Sequence, residues 1–263
     1  MEVVIVPTPA DCGRVVADVI ATTVTGRAAG DRPTLGLATG SSPVLAYREL
    51  IRRHTEEGLS FAGVRAFLLD EYVGLPADHP ESYRSVIRRK LTAHLDIADR
   101  DVHGPDGTHA DPLMAARDYE EQLRAAGPVA VQVLGIGANG HIGFNEPGSS
   151  LSSVTRVKTL TEQTRQDNAR FFDSPADVPR HVITQGLGTI SRAQHLVLTA
   201  SGPGKAAAVA AGVEGPLTAS CPASVLQLHP HATVVIDVAA ATELERADYY
   251  RYTLEHKLPH QPF

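Results

Sequence analysis

The sequence predicts an α/β fold in which a mostly parallel β-sheet is flanked by helices. Two patterns support this prediction: short apolar runs recur along the chain, and segments with apolar residues at helical spacing separate them. The 263 residues are 43% hydrophobic, which is enough for a substantial core, and no shift in composition marks a second domain. We therefore expect residues 1–263 to form a single domain.

The predicted strands and helices alternate from one end of the chain to the other. In chain order, the predicted strands lie in "EVVIVP", "TLGLATGSS", "VRAFLLDEY", "VAVQVLGIGANGH", "QHLVLTASGPG" and "ATVVIDV". The predicted helices lie in "ADCGRVVADVIATTVTGR", "PVLAYRELIRRHTEEG", "ESYRSVIRRKLTAHL", "PLMAARDYEEQLRAAG" and "KAAAVAAGV". Ligands of such sheets bind beyond the carboxyl ends of the strands, so the polar residues at those ends are the candidates for a site.

Charge and cysteine content argue against several classes of protein. The net charge of −6 comes without a block of Lys and Arg, so we expect no nucleic-acid partner. The two cysteines, Cys12 and Cys221, are far apart and outside any C-x-x-C pair, which fits a reducing compartment. The N-terminus lacks the pattern of a signal peptide and no run of eighteen apolar residues occurs. We expect a cytoplasmic protein without membrane contact.

A candidate phosphate site follows the second predicted strand. There "TGSSP" places Gly40, Ser41 and Ser42 before Pro43, which suits the start of a helix, and free N–H groups at such a start bind anions. The alternative is a capped helix start with no ligand. Lys205 opens the last predicted helix; its surroundings lack P-loop spacing, so it either closes over a sugar phosphate or is solvated.

Asp70 and Glu71 stand side by side where the third predicted strand ends. Adjacent carboxylates that leave an apolar strand have shifted proton affinities, and one of them then suits the role of general base. The alternative is a carboxylate pair that caps the following turn.

The stretch "GIGANGHIGFNEPG" matches the dinucleotide pattern G-x-G-x-x-G at Gly135, Gly137 and Gly140. It does not open a helix, however, because Pro147 would break a helix that began at Gly140. We infer a glycine-lined loop with the composition of a proton-transfer site, the alternative being a histidine satisfied by backbone. Its polar side chains are Asn139, His141, Asn145 and Glu146.

The chain has twelve histidines, and none of them is part of an H-E-x-x-H motif. Those other than His141 are scattered over predicted surface segments. We therefore expect no metal ion.

Two long motifs identify a family. "LLDEYVGLPADHPESY" and "LGIGANGHIGFNEPGSSL" resemble the glucosamine-6-phosphate deaminases, also called glucosamine-6-phosphate isomerases, and the likeness extends through "TGSSP", "TRVKTLTEQTRQDNARFF" and "ASVLQLHP". The sister family, the 6-phosphogluconolactonases, carries G-D-G-H followed by A-S-L-F-P instead. The resemblance implies a Rossmann-like fold of the deaminase/phosphogluconolactonase type and one catalytic domain.

The resemblance also implies a reaction, the isomerising deamination of glucosamine 6-phosphate to fructose 6-phosphate and ammonia in the catabolism of N-acetylglucosamine. Such an enzyme, which we place in the hydrolase class, needs no cofactor. By similarity, His141 is the acid/base of ring opening, Glu146 and Asn139 hold its imidazole, and Asp70 moves a proton from C2 to C1 of the sugar.

For the substrate phosphate, the similarity points to Gly40, Ser41 and Ser42, with Lys205 and Arg170 closing from other segments. Arg170 lies in a predicted mobile lid near residues 156–185.

Regulated relatives bind the effector N-acetylglucosamine 6-phosphate between the subunits of a hexamer. The matching residues here serve either such an effector site in a homo-oligomer or only a solvated or subunit-packing surface. They are Ser149, Ser150, Arg156, Lys158 and Thr159.

Two other functions remain open from the sequence. A 6-phosphogluconolactonase-like hydrolase would share the fold, and a catalytically inactive sugar-phosphate sensor would keep the phosphate ligands. A sensor has no need of Asp70, His141 and Glu146 together, which favours the enzyme.

Overall fold

The computed structural model describes residues 1–28, 30–258 and 261, in which strands and helices alternate. The strands are β1 (Glu2–Val6), β2 (Thr34–Leu37), β3 (Arg65–Leu68), β4 (Asp70–Tyr72), β5 (Val102–His103), β6 (Val131–Leu134), β7 (Arg156–Thr159), β8 (His181–Thr184), β9 (His195–Ala200) and β10 (Ala232–Asp237). The helices are α1 (Pro9–Thr25), α2 (Val44–Glu57), α3 (Tyr83–Lys90), α4 (Pro112–Ala125), α5 (Glu162–Asn168), α6 (Leu187–Ile190), α7 (Ala206–Val213) and α8 (Ala247–Glu255).

Seven strands form one sheet in the order β1-β10-β9-β6-β2-β3-β5, and every neighbouring pair is parallel. Helices cover both faces, so adjacent residues of a strand enter different cores. On β9, Leu196 and Leu198 pack in the core on one face and Val197 packs in the core on the other. The predicted parallel α/β fold is confirmed.

Local signals explain where the first helix begins. The Thr8 hydroxyl accepts the N–H of Asp11, and the Asp11 carboxylate accepts the N–H of Thr8, with Pro9 at the first helical position. This reciprocal cap satisfies two backbone donors that the helix leaves unpaired. The helix then lies along the sheet and packs against α2.

The third predicted strand divides at Leu69 between two sheets. Before it, β3 belongs to the parallel sheet; after it, β4 pairs antiparallel with β8, which pairs antiparallel with β7. The N–H of Leu69 donates to the Leu37 carbonyl (3.1 Å), and its own carbonyl accepts the N–H of Gln185 (2.8 Å). The break turns Asp70 out of the parallel sheet, a change of direction that the sequence pattern did not predict.

The site lies where the direction of strand addition reverses. From β2 the chain adds β3 on one side, whereas β6, β9 and β10 follow on the other side. The loops after β2 and β6 therefore diverge and leave a crevice at the carboxyl ends of these strands. Among the described residues, no helix is long and apolar enough to cross a membrane.

Candidate active site

Asp70 is a buried carboxylate at the start of β4. It is 4% exposed, pairs in register with Thr184, and accepts no hydrogen bond from the described residues. Burial, and then the neighbouring charge of Glu71, raise the pKa of Asp70 well above its ordinary value. A Cβ atom at Gly143 would lie 3.5 Å from its Oδ2 atom, so the carboxylate faces the loop after β6. An unpaired, desolvated carboxylate of this kind is a strong base once it is ionised.

Glu71, next to Asp70, has a structural role. Its carboxylate accepts the N–H groups of Tyr72 (2.9 Å), Tyr83 (2.9 Å) and Arg84 (3.0 Å), which fixes the first turn of α3. The capping alternative is therefore correct for Glu71, and the two carboxylates have separate tasks.

Glycines in the loop after β6 make room for the imidazole of His141. The N–H of Gly137 donates to the carbonyl of His141 (2.9 Å), and a Cβ atom at Gly137 would lie 2.2 Å from Cε1 of that ring. Gly140 has φ +82°, and a Cβ atom there would lie 2.6 Å from Sγ of Cys221. The loop opens no helix, so its glycine pattern serves a tight turn rather than a pyrophosphate.

His141, Asn139 and Glu146 form a hydrogen-bonded chain. Oδ1 of Asn139 lies 2.7 Å from Nδ1 of His141, while Nδ2 of Asn139 donates to Oε2 of Glu146 (2.7 Å). The other carboxylate oxygen of Glu146 accepts the hydroxyl of Thr164 (2.8 Å). The nearby His141 imidazole, and then the hydrogen bonds from Thr164 and Asn139, lower the pKa of Glu146 to about 2, so this carboxylate is ionised at neutral pH.

This chain fixes which nitrogen of His141 carries the proton. Because the amide of Asn139 donates to Glu146, its oxygen is the atom that faces the imidazole. An oxygen accepts, so Nδ1 carries the hydrogen and Nε2 keeps a free electron pair. The ring is 28% exposed, which leaves Nε2 within reach of a ligand.

Buried amides join the Asp70 segment to this loop, and the sequence did not indicate their role. Nδ2 of Asn145 donates to the carbonyls of Ile142 (2.9 Å) and Gln185 (2.8 Å). Gln185 in turn donates its N–H to the Leu69 carbonyl and its Nε2 to the Leu68 carbonyl (3.0 Å). The sequence showed Asn145 beside Glu146, but Gln185 follows an unpredicted strand.

Four of the five predicted phosphate ligands follow the ends of two strands, β2 and β9. Gly40 and Ser41 are exposed after β2, and within the described chain the N–H groups of Gly40, Ser41 and Ser42 have no acceptor. Lys205 precedes α7, and its Nζ atom donates to the Ile136 carbonyl (2.7 Å) in the loop of His141. Free backbone donors suit an anion, and Lys205 adds a positive charge at the same edge of the sheet.

Arg170 lies outside this group in the present conformation. It is exposed, and its guanidinium lies 4.7 Å from the centre of the Phe171 ring; it contacts none of the other predicted phosphate ligands among the described residues. The segment around it does reach the site, because Nδ2 of Asn168 donates to the Tyr72 hydroxyl (3.0 Å) and Thr164 donates to Glu146.

The predicted effector residues lie beyond the catalytic loop. Ser149 is buried, and its hydroxyl has no partner among the described residues. Arg156 and Lys158 stand on the same face of β7, two residues apart, and burial lowers the pKa of Arg156. Ser150 and Thr159 are exposed.

No three His, Cys, Asp or Glu side chains within residues 1–28, 30–258 and 261 are grouped so as to hold a metal ion. The metal-free and cofactor-free reaction stays a prediction.

Comparison with known proteins finds a matching family model, similar sequences and similar solved structures. The family model for glucosamine-6-phosphate isomerases/6-phosphogluconolactonase matches residues 7–236. Glucosamine-6-phosphate deaminase of Rhodococcus opacus (strain B4) is 60% identical over 263 residues, covering 100% of both chains. The structure of a monomeric glucosamine-6-phosphate deaminase has a TM-score of 0.89 at 41% identity, covering 92% of this chain and 100% of that one. A 6-phosphogluconolactonase from Trypanosoma cruzi has a TM-score of 0.72 at 20% identity, over 93% and 97% of the chains, and shows the fold alone.

Proposed function

The chain belongs to the family of glucosamine-6-phosphate isomerases and 6-phosphogluconolactonases, and we propose that it converts glucosamine 6-phosphate to fructose 6-phosphate and ammonia. The observation that carries the proposal is that the buried Asp70, which accepts no hydrogen bond from the described residues, faces the loop that bears the His141–Asn139–Glu146 chain. Together they supply a carbon base and an oxygen acid/base.

His141 opens the sugar ring. Its Nε2 atom, which carries the free electron pair, takes the proton of the anomeric hydroxyl and returns a proton to the ring oxygen. The positive charge that develops on the imidazole is stabilised by Glu146, whose Oε2 atom lies 3.6 Å from Nδ1. The product of this step is the open-chain aldehyde.

Asp70 then isomerises the open chain. Its carboxylate removes the proton on C2, which gives an enolamine, and returns the proton to C1, which leaves a ketimine at C2. Water adds to this carbon and ammonia leaves, so that fructose 6-phosphate is formed. The overall reaction consumes one water molecule, and on this ground alone we propose the hydrolase class.

We propose that the substrate phosphate binds to the N–H groups of Gly40, Ser41 and Ser42, and that Lys205, at the same edge of the sheet, adds a positive charge. Arg170 joins them when the segment around it closes, because a guanidinium matches phosphate oxygens in pairs. We propose that this segment, near residues 156–185, acts as a lid, anchored to the site by Thr164 and Asn168. Slower amide hydrogen exchange of residues 162–178 in the presence of substrate would support the lid, and unchanged exchange would exclude it.

We also propose that N-acetylglucosamine 6-phosphate acts as an effector at the site of Arg156 and Lys158 in a homo-oligomer, and that the enzyme works in the cytoplasm. A related deaminase is described as monomeric, so the oligomeric state of this chain is the first part of the proposal to test. Sedimentation of the purified chain with and without the effector does so: a monomer whose rate the effector leaves unchanged would contradict it.

The proposed reaction is tested by mixing the purified protein with glucosamine 6-phosphate in the absence of metal and nucleotide. We expect ammonia and fructose 6-phosphate in equal amounts, and neither product from Asp70→Asn. Absence of both products from the wild-type protein, with and without effector, would overturn the proposal.

A further inference from the structure

A second polar cleft opens at the opposite edge of the parallel sheet. Its volume is about 440 Å³, and its walls come from the C-terminal end of α1 and from the residues that begin β2 and β3 or precede β6. Asp70 and His141 lie at the carboxyl ends of the same strands, so the cleft is separate from the proposed active site.

Three polar atoms in the walls of this cleft have no partner. Within the described chain, Nη1 of Arg27, Nε of Arg65 and Oγ1 of Thr34 are buried and make no hydrogen bond. Thr34 is 2% exposed. A buried polar group without a hydrogen bond destabilises the folded protein, so such groups usually face a ligand or a water molecule.

The two nitrogen atoms restrict what that partner is. A guanidinium N–H only donates, so the occupant must offer oxygen acceptors. Nη2 of Arg65 is already held by the carbonyls of Ala126 (2.7 Å) and Arg32 (3.2 Å), which fixes the guanidinium with Nε left over. The donor is therefore in place before any ligand arrives.

The charges around the cleft favour an anion. Arg32 also lines it and is paired with Asp101, whereas neither Arg27 nor Arg65 forms an ion pair with a described carboxylate. Asp31 stands nearby, but its carboxylate accepts the N–H of Ala28 (3.2 Å). The cleft thus keeps an excess of positive charge although the chain as a whole has a net charge of −6.

We propose that this cleft binds a phosphate-type oxyanion, held by Arg27 and Arg65 with the Thr34 hydroxyl. Arginine forms paired, charge-assisted hydrogen bonds with such oxygens, and the cleft has room for more than an isolated ion. The site goes beyond the proposed reaction, because it shares no residue with the ligands of the substrate phosphate.

The test is a titration of the isotope-labelled protein with inorganic phosphate, followed by amide NMR at constant ionic strength. We expect the amides of Thr34 and Ala130 to shift with their own saturation curve, separate from that of Gly40 and Ser41. A parallel titration with glucose 6-phosphate separates two sources: tighter binding of the ester assigns the site to a phosphorylated metabolite, and equal binding assigns it to the ion.

Arg27→Gln is the informative variant, because Arg27 makes no hydrogen bond with the described residues and its replacement breaks none of theirs. It should weaken binding at the cleft about tenfold, and leave the curve of Gly40 and Ser41 unchanged. Arg117→Gln removes the same charge from an exposed position of α4 and should change neither curve. Amides of the cleft that stay unmoved in millimolar phosphate, or equal weakening by both variants, would overturn the proposal, whether or not the active site binds phosphate.

Discussion

The side-chain oxygen of Asn139 lies 2.7 Å from Nδ1 of His141. The amide nitrogen of the same residue donates to Glu146, so the carboxylate fixes which way the amide points. The amide oxygen then faces the imidazole, and the neutral asparagine adds no charge of its own. The proton on Nδ1 and the free electron pair on Nε2 both follow from this one contact.

Asn139→Asp tests this relationship. The substitution places a second carboxylate against Glu146 and next to the imidazole, so the charged form of the ring gains stabilisation. We expect the acidic limb of the pH profile of kcat/KM to move to higher pH, with activity retained. A profile identical to that of the wild type would contradict the electrostatic part of this account.

The matched control is Asn139→Asp combined with Glu146→Gln. This pair restores one carboxylate and one amide in exchanged positions, so a donor again faces an acceptor between them. The double variant should recover more activity than Glu146→Gln alone. Additive losses would show that the two side chains do not act through one another.

Gly137→Ala and Gly135→Ala separate the two glycines of one loop. A Cβ atom at Gly137 would lie 2.2 Å from the His141 ring, whereas one at Gly135 would meet no atom within 4 Å. We expect Gly137→Ala to lower kcat on the order of 10²-fold by displacing the imidazole, and Gly135→Ala to behave like the wild type. Steady-state assays measure kcat of both variants, and circular dichroism checks that both are folded. Equal losses of kcat would contradict the packing argument.

Asp70→Asn should stabilise the protein while abolishing the reaction. The pKa of Asp70 is raised in the folded state, so its ionised form costs stability at every pH above the unfolded value of 3.8. We expect the amide to raise the free energy of unfolding by about 1 kcal/mol at pH 8. This gain in unfolding free energy should vanish below pH 3.8, where Asp70 is protonated in both the folded and the unfolded protein.

Urea denaturation at pH 8 and at a pH below 3.8 measures this effect. Asp118→Asn, on the exposed face of α4, is the control. The control should show no gain at either pH. A loss of stability in Asp70→Asn at pH 8 would mean that the carboxylate is compensated in the folded protein.

Asn145→Ala should loosen the contact between the loop of His141 and the segment that follows β8. It removes donors to the carbonyls of Ile142 and Gln185, at a cost of about 1–3 kcal/mol in unfolding free energy. Because this loop faces Asp70, we expect kcat to fall on the order of 10²-fold with a smaller change in KM. Gln227→Ala is the control, since Gln227 also donates to two carbonyls, those of Gly212 and Gly215, outside the site. It should lose stability and keep kcat; equal kcat losses would leave Asn145 without a positioning role.

The sequence predicted the parallel sheet because its strands are apolar on both faces. It did not predict β7, whose residues Arg156–Thr159 are half-buried or exposed and which pairs antiparallel with β8. It also missed the break at Leu69, because "AFLLDEY" continues the β pattern across two sheets and the break depends on Leu37 and Gln185, which are distant along the chain.

The residues of the candidate site also fall into two groups, those that the sequence indicated and those that it did not. Asp70, His141 and Glu146 stand at strand ends with recognisable chemistry, so their types and positions indicated them. Thr164 and Gln185 carry no such signal, because a threonine in a polar helix and a glutamine after a short strand acquire a role only through hydrogen bonds to distant residues.

Glucosamine 6-phosphate that carries deuterium at C2 tests directly whether Asp70 transfers the proton. If Asp70 moves the proton from C2 to C1, the wild-type enzyme should show a primary isotope effect on kcat and form fructose 6-phosphate with part of the deuterium at C1. Asp70→Asn should form no product. Product formation by Asp70→Asn at the wild-type rate, with no isotope effect in either protein, would contradict the account.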